Sequence, residues 1–490
     1  MPLVWSSSPL GVDRHPKAMA ALAKMSPPYR VALFVFPGYE LLDAYGPWEM
    51  LGLSNQVAKR TIFDLQVVGL SHHCATPDGP DVVVDSVLEH VCKDSWDILV
   101  VPGGGQGVDE LLANEPAMQQ LATIISNTTL VLSVCTGAVI LAKLGVLDGI
   151  PATTNKRSYA AIAKQYPLVL WQHEARWIET NKFVTSSGVT AGTDMTLAIV
   201  GQLVSQQHAK QVARLAEYEA VTDALSDPFC ADFDFPVDTE ADCKYNMVVV
   251  LYDNFELFDV FGCLEMVRMV NRFRKGAFNV RFVAEQSATK SSHGPVFHVA
   301  NTFEAGLDAL LLDVDVVLVP GGLGTLREMF NPGMLKVLAQ LTQKAAIVAT
   351  VCSGSAILAA TGALDHHPAT TNKFSYNLLT SFRPAVDWRR CARWSRAGKH
   401  WTSSGVCAGT DMMLAIVAQL FDEPLAEAAA YRAEYVRHRD EEADPFERDA
   451  SPLSGVQWLG NMALGWVVRV VFDGGLRLGF EMKTSTLSFM

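Results

Sequence analysis

The chain of 490 residues repeats itself at a separation of 217 positions, and this duplication constrains its fold more than any other feature. An apolar segment ends at Cys135 and continues as Thr-Gly-Ala, and a closely similar segment ends at Cys352 and continues as Ser-Gly-Ser. Two further pairs of motifs show the same separation: Thr153-Thr-Asn-Lys with Thr370-Thr-Asn-Lys, and Ser186-Ser-Gly-Val with Ser403-Ser-Gly-Val. A period of this length is that of a whole domain rather than of a short solenoid unit. The sequence therefore predicts a tandem duplication of one domain.

The limits of the two copies give the domain organisation. One hydrophobic core rarely serves a chain of 490 residues, so two domains are also expected from length alone. The predicted segments are a flexible leader at 1–29, a first domain at 30–222, an acidic linker at 223–245, a second domain at 246–446 and a tail at 447–490. Within the tail, Asp473-Gly-Gly lies between two apolar runs and is typical of a β-hairpin turn.

Strand-like and helix-like segments alternate within each copy. In the first copy, apolar runs at 30–36, 96–101 and 129–134 each end in a turn that leads towards a helical pattern. Continuous apolar strands alternating with helices are typical of a parallel sheet that is covered on both faces. The predicted fold class is therefore α/β, with two tandem domains, each a mostly parallel sheet sandwiched by helices. In such sheets the loops at the carboxyl ends of the strands form the functional site.

Composition excludes several classes of partner. The net charge is −13 and no basic stretch is interleaved with aromatic residues, which argues against a nucleic-acid partner. No apolar run reaches the length of a membrane span. The nine cysteines show no disulfide-framework spacing, and no secretory signal is recognised at the start. We therefore expect free thiols and a cytoplasmic protein, although an organelle-targeting role of the leader stays open.

Cys135 and Cys352 are the candidate nucleophiles. Each follows a strand and precedes a helix, and the N–H groups and dipole at a helix N-terminus favour the thiolate. The competing interpretation is that a free cysteine is a small buried hydrophobic residue. Because a cysteine occurs twice in the same strand–turn–helix context, we favour a functional role for both. Cys407 lies in the second Ser-Ser-Gly loop and could come near the site. It and the other remaining cysteines are interpreted as structural: Cys74, Cys92, Cys230, Cys243, Cys263, Cys391 and Cys407.

Polar residues and glycines in other loops are candidates for the same site. Asp43 and Asp259 lie between a strand and a helix, either as a helix N-cap or as a carboxyl group that exchanges a proton with the thiol. Gly104 and Gly322 end glycine-rich turns, and their N–H groups form either an oxyanion hole or a simple tight turn.

Other repeated polar residues leave their roles open. The Thr-Thr-Asn-Lys and Ser-Ser-Gly clusters either line a pocket or cap helices. Asp194 and Asp411 are interpreted as structural, since acidic residues are favoured in the first turn of a helix. No histidine recurs at equivalent positions, and no spacing of histidine and cysteine indicates zinc, so neither a metal nor a cofactor is predicted.

Three motifs together resemble the ThiJ/PfpI superfamily, and in particular its isonitrile hydratase branch. They are Phe36-Pro-Gly-Tyr-Glu-Leu-Leu-Asp43, Val101-Pro-Gly-Gly104 and Val134-Cys135-Thr-Gly-Ala, and they recur in the second copy. The branch is marked by Cys-Thr-Gly and by a glycine-Val-Thr-Ala-Gly-x-Asp loop, and the resemblance covers 30–222 and 246–440. It implies the class I glutamine amidotransferase-like fold, which is flavodoxin-like, with the cysteine at a strand–turn–helix elbow.

The resemblance also implies roles for particular residues. The cysteine would be the nucleophile, an acid from the first loop would hydrogen-bond to it, and the residue after the cysteine would share the site. These residues are Cys135, Asp43 and Thr136 in the first copy and Cys352, Asp259 and Ser353 in the second, with oxyanion donors at Gly104 and Gly322. Because members usually dimerise, the two copies are expected to pack as an internal pseudo-dimer or to form a homo-oligomer.

Two functions are compatible with these features. The first is a cofactor-free cysteine-dependent hydratase or hydrolase that acts on a small isonitrile-like or carbonyl-like molecule, with the aspartate moving the proton. The alternative is a non-catalytic regulatory protein that senses oxidants or ligands through the same cysteines, because exposed thiols of low pKa oxidise first.

Overall fold

The computed structural model describes residues 17–447, except residues 77 and 232. The predicted hairpin around Asp473 and the first sixteen residues of the predicted leader lie outside the described residues. Residues 17–22 of that leader form a helix, and Leu22 is fully buried against the first domain.

The first repeat alternates strands and helices as the sequence predicts. Its helices are α1 (Lys17–Leu22), α2 (Leu41–Ala58), α3 (Leu88–Val91), α4 (Gly105–Ala113), α5 (Glu115–Asn127), α6 (Gly137–Lys143), α7 (Tyr159–Gln165), α8 (Val189–Leu203) and α9 (Gln206–Leu215). Its strands are β1 (Tyr29–Val35), β2 (Phe63–Gly69), β3 (His73–Cys74), β4 (Asp81–Val83), β5 (Ser86–Val87), β6 (Trp96–Val101), β7 (Thr128–Ser133), β8 (Pro151–Ala152), β9 (Leu170–Trp171), β10 (Trp177–Glu179) and β11 (Phe183–Ser186).

The second repeat has the same succession of principal elements. Its helices are α10 (Leu257–Phe273), α11 (Leu307–Leu312), α12 (Thr325–Glu328), α13 (Pro332–Lys344), α14 (Gly354–Ala360), α15 (Tyr376–Phe382), α16 (Val406–Leu420) and α17 (Glu423–Arg432). Its strands are β12 (Thr239–Glu240), β13 (Tyr245–Leu251), β14 (Arg274–Lys275), β15 (Phe278–Ala284), β16 (Ala288–Lys290), β17 (Val296–His298), β18 (Asn301–Thr302), β19 (Val316–Val319), β20 (Ile347–Thr350), β21 (Pro368–Ala369), β22 (Asp387–Trp388), β23 (Trp394–Ala397) and β24 (His400–Ser403).

A seven-stranded sheet forms the centre of each repeat. The strand order is β10-β11-β7-β6-β1-β2-β5 in the first and β18-β15-β13-β19-β20-β24-β23 in the second, which is the same arrangement read from the opposite edge. All neighbours pair in parallel except β10 with β11 and β23 with β24. The central strands β1 and β13 are rich in valine and leucine and nearly fully buried, as a parallel sheet covered on both faces requires. The predicted α/β fold of two tandem domains is confirmed.

The sheet order brings three loops of each repeat together. Strands β1, β6 and β7 are adjacent and parallel, so the loops after their carboxyl ends lie at the same edge of the sheet. These loops carry Asp43, the Gly103–Gly104 turn and Cys135 respectively. The second repeat places Asp259, Gly321–Gly322 and Cys352 in the same way after β13, β19 and β20.

The two repeats pack face to face within one chain. Helix α2 packs against α10, and Tyr45 stacks on Phe261 with ring centroids 4.4 Å apart. Strand β4 of the first repeat pairs antiparallel with β17 of the second, with Val82 opposite Phe297, which creates a four-stranded sheet β16-β17-β4-β3 shared by both. The chain is thus an internal pseudo-dimer. None of the helices between residues 17 and 447 combines the length and apolar character that crossing a membrane requires.

Candidate active sites

Each elbow cysteine lies in a tight turn between a parallel strand and a short helix. Cys135 lies between β7 and α6, and Cys352 lies between β20 and α14. Both have a φ of 56°, in the left-handed region that residues other than glycine rarely adopt. This conformation costs roughly 1–2 kcal/mol per residue, and strain of this kind is concentrated at functional sites. The same strained turn is therefore kept at both copies of the cysteine.

The Thr-Thr-Asn-Lys motif holds this turn in place. Thr154 Oγ1 donates a hydrogen bond of 3.0 Å to the carbonyl oxygen of Cys135, and Thr371 Oγ1 donates one of 3.2 Å to that of Cys352. All four residues are buried. These threonines brace the strained backbone of the elbow, whereas Asn372 of the same motif lines the pocket at Cys352, which is one of the two roles that the sequence leaves open.

The predicted carboxyl groups lie beside the elbow. Asp43 and Asp259 are fully buried, in the first turns of α2 and α10. Their Oδ2 atoms accept hydrogen bonds of 2.9 and 2.7 Å from the backbone N–H groups of Gly103 and Gly321. Their Oδ1 atoms are buried without a hydrogen-bond partner among the described residues. Because Glu40, and not Asp43, is the N-cap residue of α2, the interpretation of Asp43 as a helix cap is wrong.

The residue after each cysteine bonds to the predicted oxyanion donors. The N–H group of Gly104 donates to Thr136 Oγ1 over 3.0 Å, and that of Gly322 donates to Ser353 Oγ over 3.1 Å. The hydroxyl oxygens therefore occupy, in this structure, the donors that the sequence assigns to an oxyanion hole. A substrate oxygen or nitrogen that displaced the hydroxyl would meet the same N–H group.

The surroundings of both aspartates favour the protonated carboxyl group, because they raise its pKa. Burial raises the pKa of Asp43 well above its usual value, and the carboxylate of Glu40 raises it further. Burial and Glu256 do the same to the pKa of Asp259. The hydrogen bonds from Gly103 and Gly321 act in the opposite direction but are outweighed.

The two thiols are neutral at rest, which corrects the expectation of a stabilised thiolate. Each cysteine is only 8% exposed. Burial raises the pKa of Cys135 well above its usual value, and Asp43 acts in the same direction; burial and Asp259 raise the pKa of Cys352 likewise. The backbone N–H groups at the helix start lower both values, but less than burial and the acids raise them. The site thus pairs a neutral thiol with a buried carboxyl group.

Arginines of the second repeat neutralise the acid next to the first site. Glu40 Oε1 lies 3.0 Å from Arg268 Nε, and Glu40 Oε2 lies 2.5 Å from Arg272 Nη2. Burial raises the pKa of Glu40, but the two guanidinium groups outweigh it and lower the pKa below its usual value. Glu40 is therefore a carboxylate held by permanent positive charge.

A histidine takes the place of these arginines at the second site. His293 Nδ1 lies 3.1 Å from Glu49 Oε1 and 3.6 Å from Glu256 Oε1, and its Nε2 lies 3.0 Å from Gln56 Oε1. Burial lowers the pKa of His293, but the two carboxyl groups outweigh it and raise the pKa well above its usual value. Glu49, Glu256 and His293 also place three potential ligand atoms within 4.8 Å of one another, in a region for which the sequence predicts no metal.

Cavities adjoin both sites. Cys352 and Ser353 line a pocket of about 60 Å³. Both repeats contribute to its wall, through Leu53, Gln56 and Leu215 on one side and Glu256, Phe374 and Val406 on the other. Near the first site, Gly104, Arg268 and Arg272 line a cavity of about 640 Å³ that is also shared by the repeats.

A buried arginine in each repeat was not predicted. Arg176 Nε donates to Asp194 over 2.7 Å and its Nη1 donates to Asp227 over 3.2 Å. Arg393 repeats the contact with Asp411 over 2.7 Å. The signal was present, because Ala-Arg-Trp occurs at both positions with the separation of 217. Asp227 lies in the segment interpreted as a linker, yet it is buried against the first repeat.

Comparison with known proteins agrees with this architecture. The DJ-1/PfpI family matches the chain twice, at residues 29–202 and 248–419. Isonitrile hydratase from Pseudomonas putida is 26% identical over 195 residues, which cover 39% of this chain and 78% of that protein. The HTH-type transcriptional regulator GbdR from Pseudomonas aeruginosa is 25% identical over 195 residues, which cover 40% of this chain and about half of the regulator, 52%.

Two further relatives are similar over different shares of the chain. DJ-1 protein homolog F from Arabidopsis thaliana is 21% identical over 338 residues, which cover 62% of this chain and 79% of that protein. A crystal structure of a ThiJ/PfpI family protein from Pseudomonas syringae is 25% identical and covers 40% of this chain and 77% of that chain, with a TM-score of 0.36. With both repeats matched by one family, the chain belongs to the DJ-1/PfpI family as a tandem duplication.

Proposed function

We propose that the protein is a cofactor-free, cysteine-dependent hydratase or hydrolase for a small electrophilic carbon, with one reaction centre in each repeat. The observation that carries this proposal is the pairing, seen twice, of a strained elbow cysteine with a buried aspartate. One oxygen of that aspartate has no hydrogen-bond partner among the described residues. Cys135 and Cys352 are the proposed nucleophiles, and Asp43 and Asp259 are the proposed proton carriers.

A neutral thiol beside a protonated carboxyl group suits addition to an isonitrile. The sulfur of Cys135 bonds to the terminal isonitrile carbon while Asp43 delivers its proton to that carbon and receives the thiol proton in return. The product of this step is a thioimidate. Water then adds to the thioimidate carbon, the carbon–sulfur bond breaks, sulfur regains a proton and an N-substituted formamide leaves. Overall, one isonitrile and one water become one formamide.

The surroundings of the cysteines support a small substrate. The pocket at Cys352 measures about 60 Å³ and has leucine, valine and phenylalanine on its walls. Small apolar groups carrying one reactive carbon, such as short isonitriles or aldehydes, fit this description better than a peptide or a nucleotide does. The N–H groups of Gly104 and Gly322 are available to the substrate once the hydroxyl of Thr136 or Ser353 moves aside.

The test is turnover by cysteine variants. Wild type, Cys135→Ala, Cys352→Ala and the double variant are incubated with a panel of short isonitriles and aldehydes, and products are followed by NMR. Each single variant should keep the turnover of the remaining site, and the double variant should fall to the uncatalysed rate. Cys243→Ser is the matched control because Cys243 is exposed. Turnover in the double variant equal to that of wild type would contradict the proposal.

A ligand-sensing role is the second candidate, because regulators of transcription are among the matched relatives. The same panel separates it from catalysis. Saturable binding that protects Cys135 or Cys352 from alkylation, without any product, would favour sensing. Sensing of oxidants is disfavoured by the buried thiols with raised pKa, because peroxide reacts with the thiolate.

A further inference from the structure

A glutamate at the end of each repeat crosses into the other repeat. Glu217 follows α9 and Glu434 follows α17, and the two are separated by the repeat length of 217 positions within matching Ala-Glu-Tyr sequences. Both adopt the left-handed backbone conformation, with φ of 47° and 49°. Both are almost fully buried, at 3% and 2% exposure. A strained, buried acid preserved in both copies indicates a shared role.

The carboxylate of Glu434 binds polar turns of the first repeat. Its Oε2 accepts hydrogen bonds from the N–H group of Gly188 over 2.6 Å and from Ser187 Oγ over 2.7 Å. Its Oε1 accepts one from the N–H group of Lys156 over 3.3 Å. Gly188 must be glycine for this approach, because a Cβ there would lie 2.2 Å from the Cδ of Glu434.

Glu217 makes the reciprocal contacts in the second repeat. Its Oε1 accepts hydrogen bonds from the N–H group of Lys373 over 3.2 Å and from Asn372 Nδ2 over 3.3 Å, and its Oε2 accepts one from Ser404 Oγ over 3.2 Å. A Cβ at Gly405 would lie 2.1 Å from Glu217 Oε2. Each glutamate therefore contacts the same two motifs of the other repeat, Asn-Lys and Ser-Ser-Gly.

These motifs are the ones that hold the elbow. Thr154, which braces Cys135, lies two residues before Lys156, and Ser186 Oγ, next to Ser187, donates to Ser133 at the end of the cysteine strand. Glu434 is near enough to Cys135 to add to the rise in the pKa of its thiol, and Glu217 acts likewise on Cys352.

The first exchanged glutamate also lies beside another acid. Ser187 Oγ contacts both Glu434 and Asp227, so the two buried carboxyl groups lie close together. In agreement, burial and Asp227 raise the pKa of Glu434 to about 7, and burial and Asp444 raise the pKa of Glu217 to about 7.

We propose that Glu434 and Glu217 are positioning residues exchanged between the repeats, so that the cysteine site of each repeat is complete only when the other repeat supplies its glutamate. The inference deepens the proposed function by making the two reaction centres mutually dependent. It also stands apart from turnover, because the exchanged carboxylate acts on the reactivity of the thiol itself.

The test is a crossed alkylation experiment on the full-length chain. Wild type, Glu434→Gln and Glu217→Gln react with iodoacetamide between pH 6.5 and 10, and peptide mass spectrometry gives the rate at Cys135 and Cys352 separately. Glu434→Gln removes a negative charge near Cys135, so Cys135 should react about threefold faster at pH 8.5 while Cys352 is unchanged. Glu217→Gln should do the reverse. Equal changes at both cysteines, or acceleration of the cysteine in the same repeat as the variant, would overturn the proposal.

Hydrogen exchange provides the second measurement, which does not need a reactive thiol. Glu434→Gln should accelerate exchange of the amide of Gly188 and leave that of Lys373 unchanged, since the charged acceptor of the Gly188 N–H group is replaced by a weaker neutral one. Glu217→Gln should accelerate exchange of the amide of Lys373, which donates to Glu217, and leave that of Gly188 unchanged. Protection that is unchanged in both variants would overturn the exchange of glutamates even if isonitrile turnover were found. Crossed effects without turnover would instead overturn only the proposed reaction.

Discussion

The two candidate sites share the same cysteine elbow but face different cations. At the first site the buried Glu40 is held by two guanidinium groups, from Arg268 and Arg272. At the second site the equivalent Glu256 faces Glu49 and the imidazole of His293. Arginine keeps its charge at any physiological pH, whereas histidine titrates. The two repeats thus share the strained backbone at the cysteine, but the cation beside the buried glutamate is permanently charged at the first site and depends on pH at the second.

A single small residue explains how the two arrangements coexist. Helix α2 carries Gly52 and Gln56 at the positions where α10 carries Arg268 and Arg272. Gly52 has no Cβ, and one built there would lie 2.5 Å from the Cβ of His293. His293 can therefore pack against α2 only because residue 52 has no side chain. The backbone carbonyl of His293 also accepts a hydrogen bond of 3.0 Å from Trp48 Nε1.

The largest expected effect is a loss of stability on removal of the buried arginines, and it should occur in both repeats. Arg176→Ala and Arg393→Ala each leave a buried aspartate without its cation, and we expect losses of about 3–5 kcal/mol in the free energy of unfolding. Arg176→Ala should lower the free energy of unfolding more than Arg393→Ala does. Arg176 also donates hydrogen bonds to Thr190 over 2.9 Å and to Asp227, whereas Arg393 lies 3.7 Å from Asp444. Urea unfolding measures both, with the exposed Arg60→Ala as control. A loss below about 1 kcal/mol in either variant would contradict the burial argument.

A smaller effect should distinguish the repeats through Gly52. Gly52→Ala forces His293 to move, and overpacking of this kind costs about 1–3 kcal/mol. Rates of alkylation should then change at Cys352 and not at Cys135, because His293 belongs to the second site. The matched control is Gly333→Ala, at the exposed start of α13. A fully stable Gly52→Ala protein with both cysteines unaffected would show that the space above α2 is not restricted.

The smallest effect is the pH dependence supplied by His293. Its pKa is raised in the folded protein, so the stability it contributes is complete below its unfolded pKa of about 6.5 and is lost as pH rises towards the folded value. The stability difference between wild type and His293→Gln should therefore fall between pH 6.5 and 8.5, by at most about 1.4 kcal/mol per pH unit. Arg272→Gln should show a flat difference over the same range. An increase with pH for His293→Gln would contradict the assigned charge.

Much of the fold was predictable because its signals are local. Apolar strands, turn glycines and the recurrence of motifs placed β1, β6, β7 and the elbow of Cys135 correctly. The helical pattern over 108–126 is interrupted in the structure, where α4 ends at Ala113 and α5 begins at Glu115. Asn114 caps α5 by accepting from the N–H group of Ala117, and Pro116 lies in the first turn. Asn-Glu-Pro was a recognisable helix start.

The missed features depend on contacts between distant segments. The strands β4 and β17 have three residues each, too few to give a pattern, and they exist because the repeats dock. The prediction that the two cysteines are stabilised as thiolates was wrong for a similar reason. A helix N-terminus can be read from the sequence around Cys135, but burial and the acids that outweigh it, Asp43, Glu40 and Glu434, come from other parts of the chain.

The sheet shared by β4 and β17 has a consequence for synthesis. About two hundred residues separate the paired Val82 and Phe297, which corresponds to on the order of 10 to 40 s at the ribosome. Throughout that interval the first half of the nascent polypeptide presents an uncovered β-edge, which invites association with neighbouring chains on the same polysome. Strand β4 can therefore pair with its partner in the same chain only after the second repeat has been synthesised as far as β17.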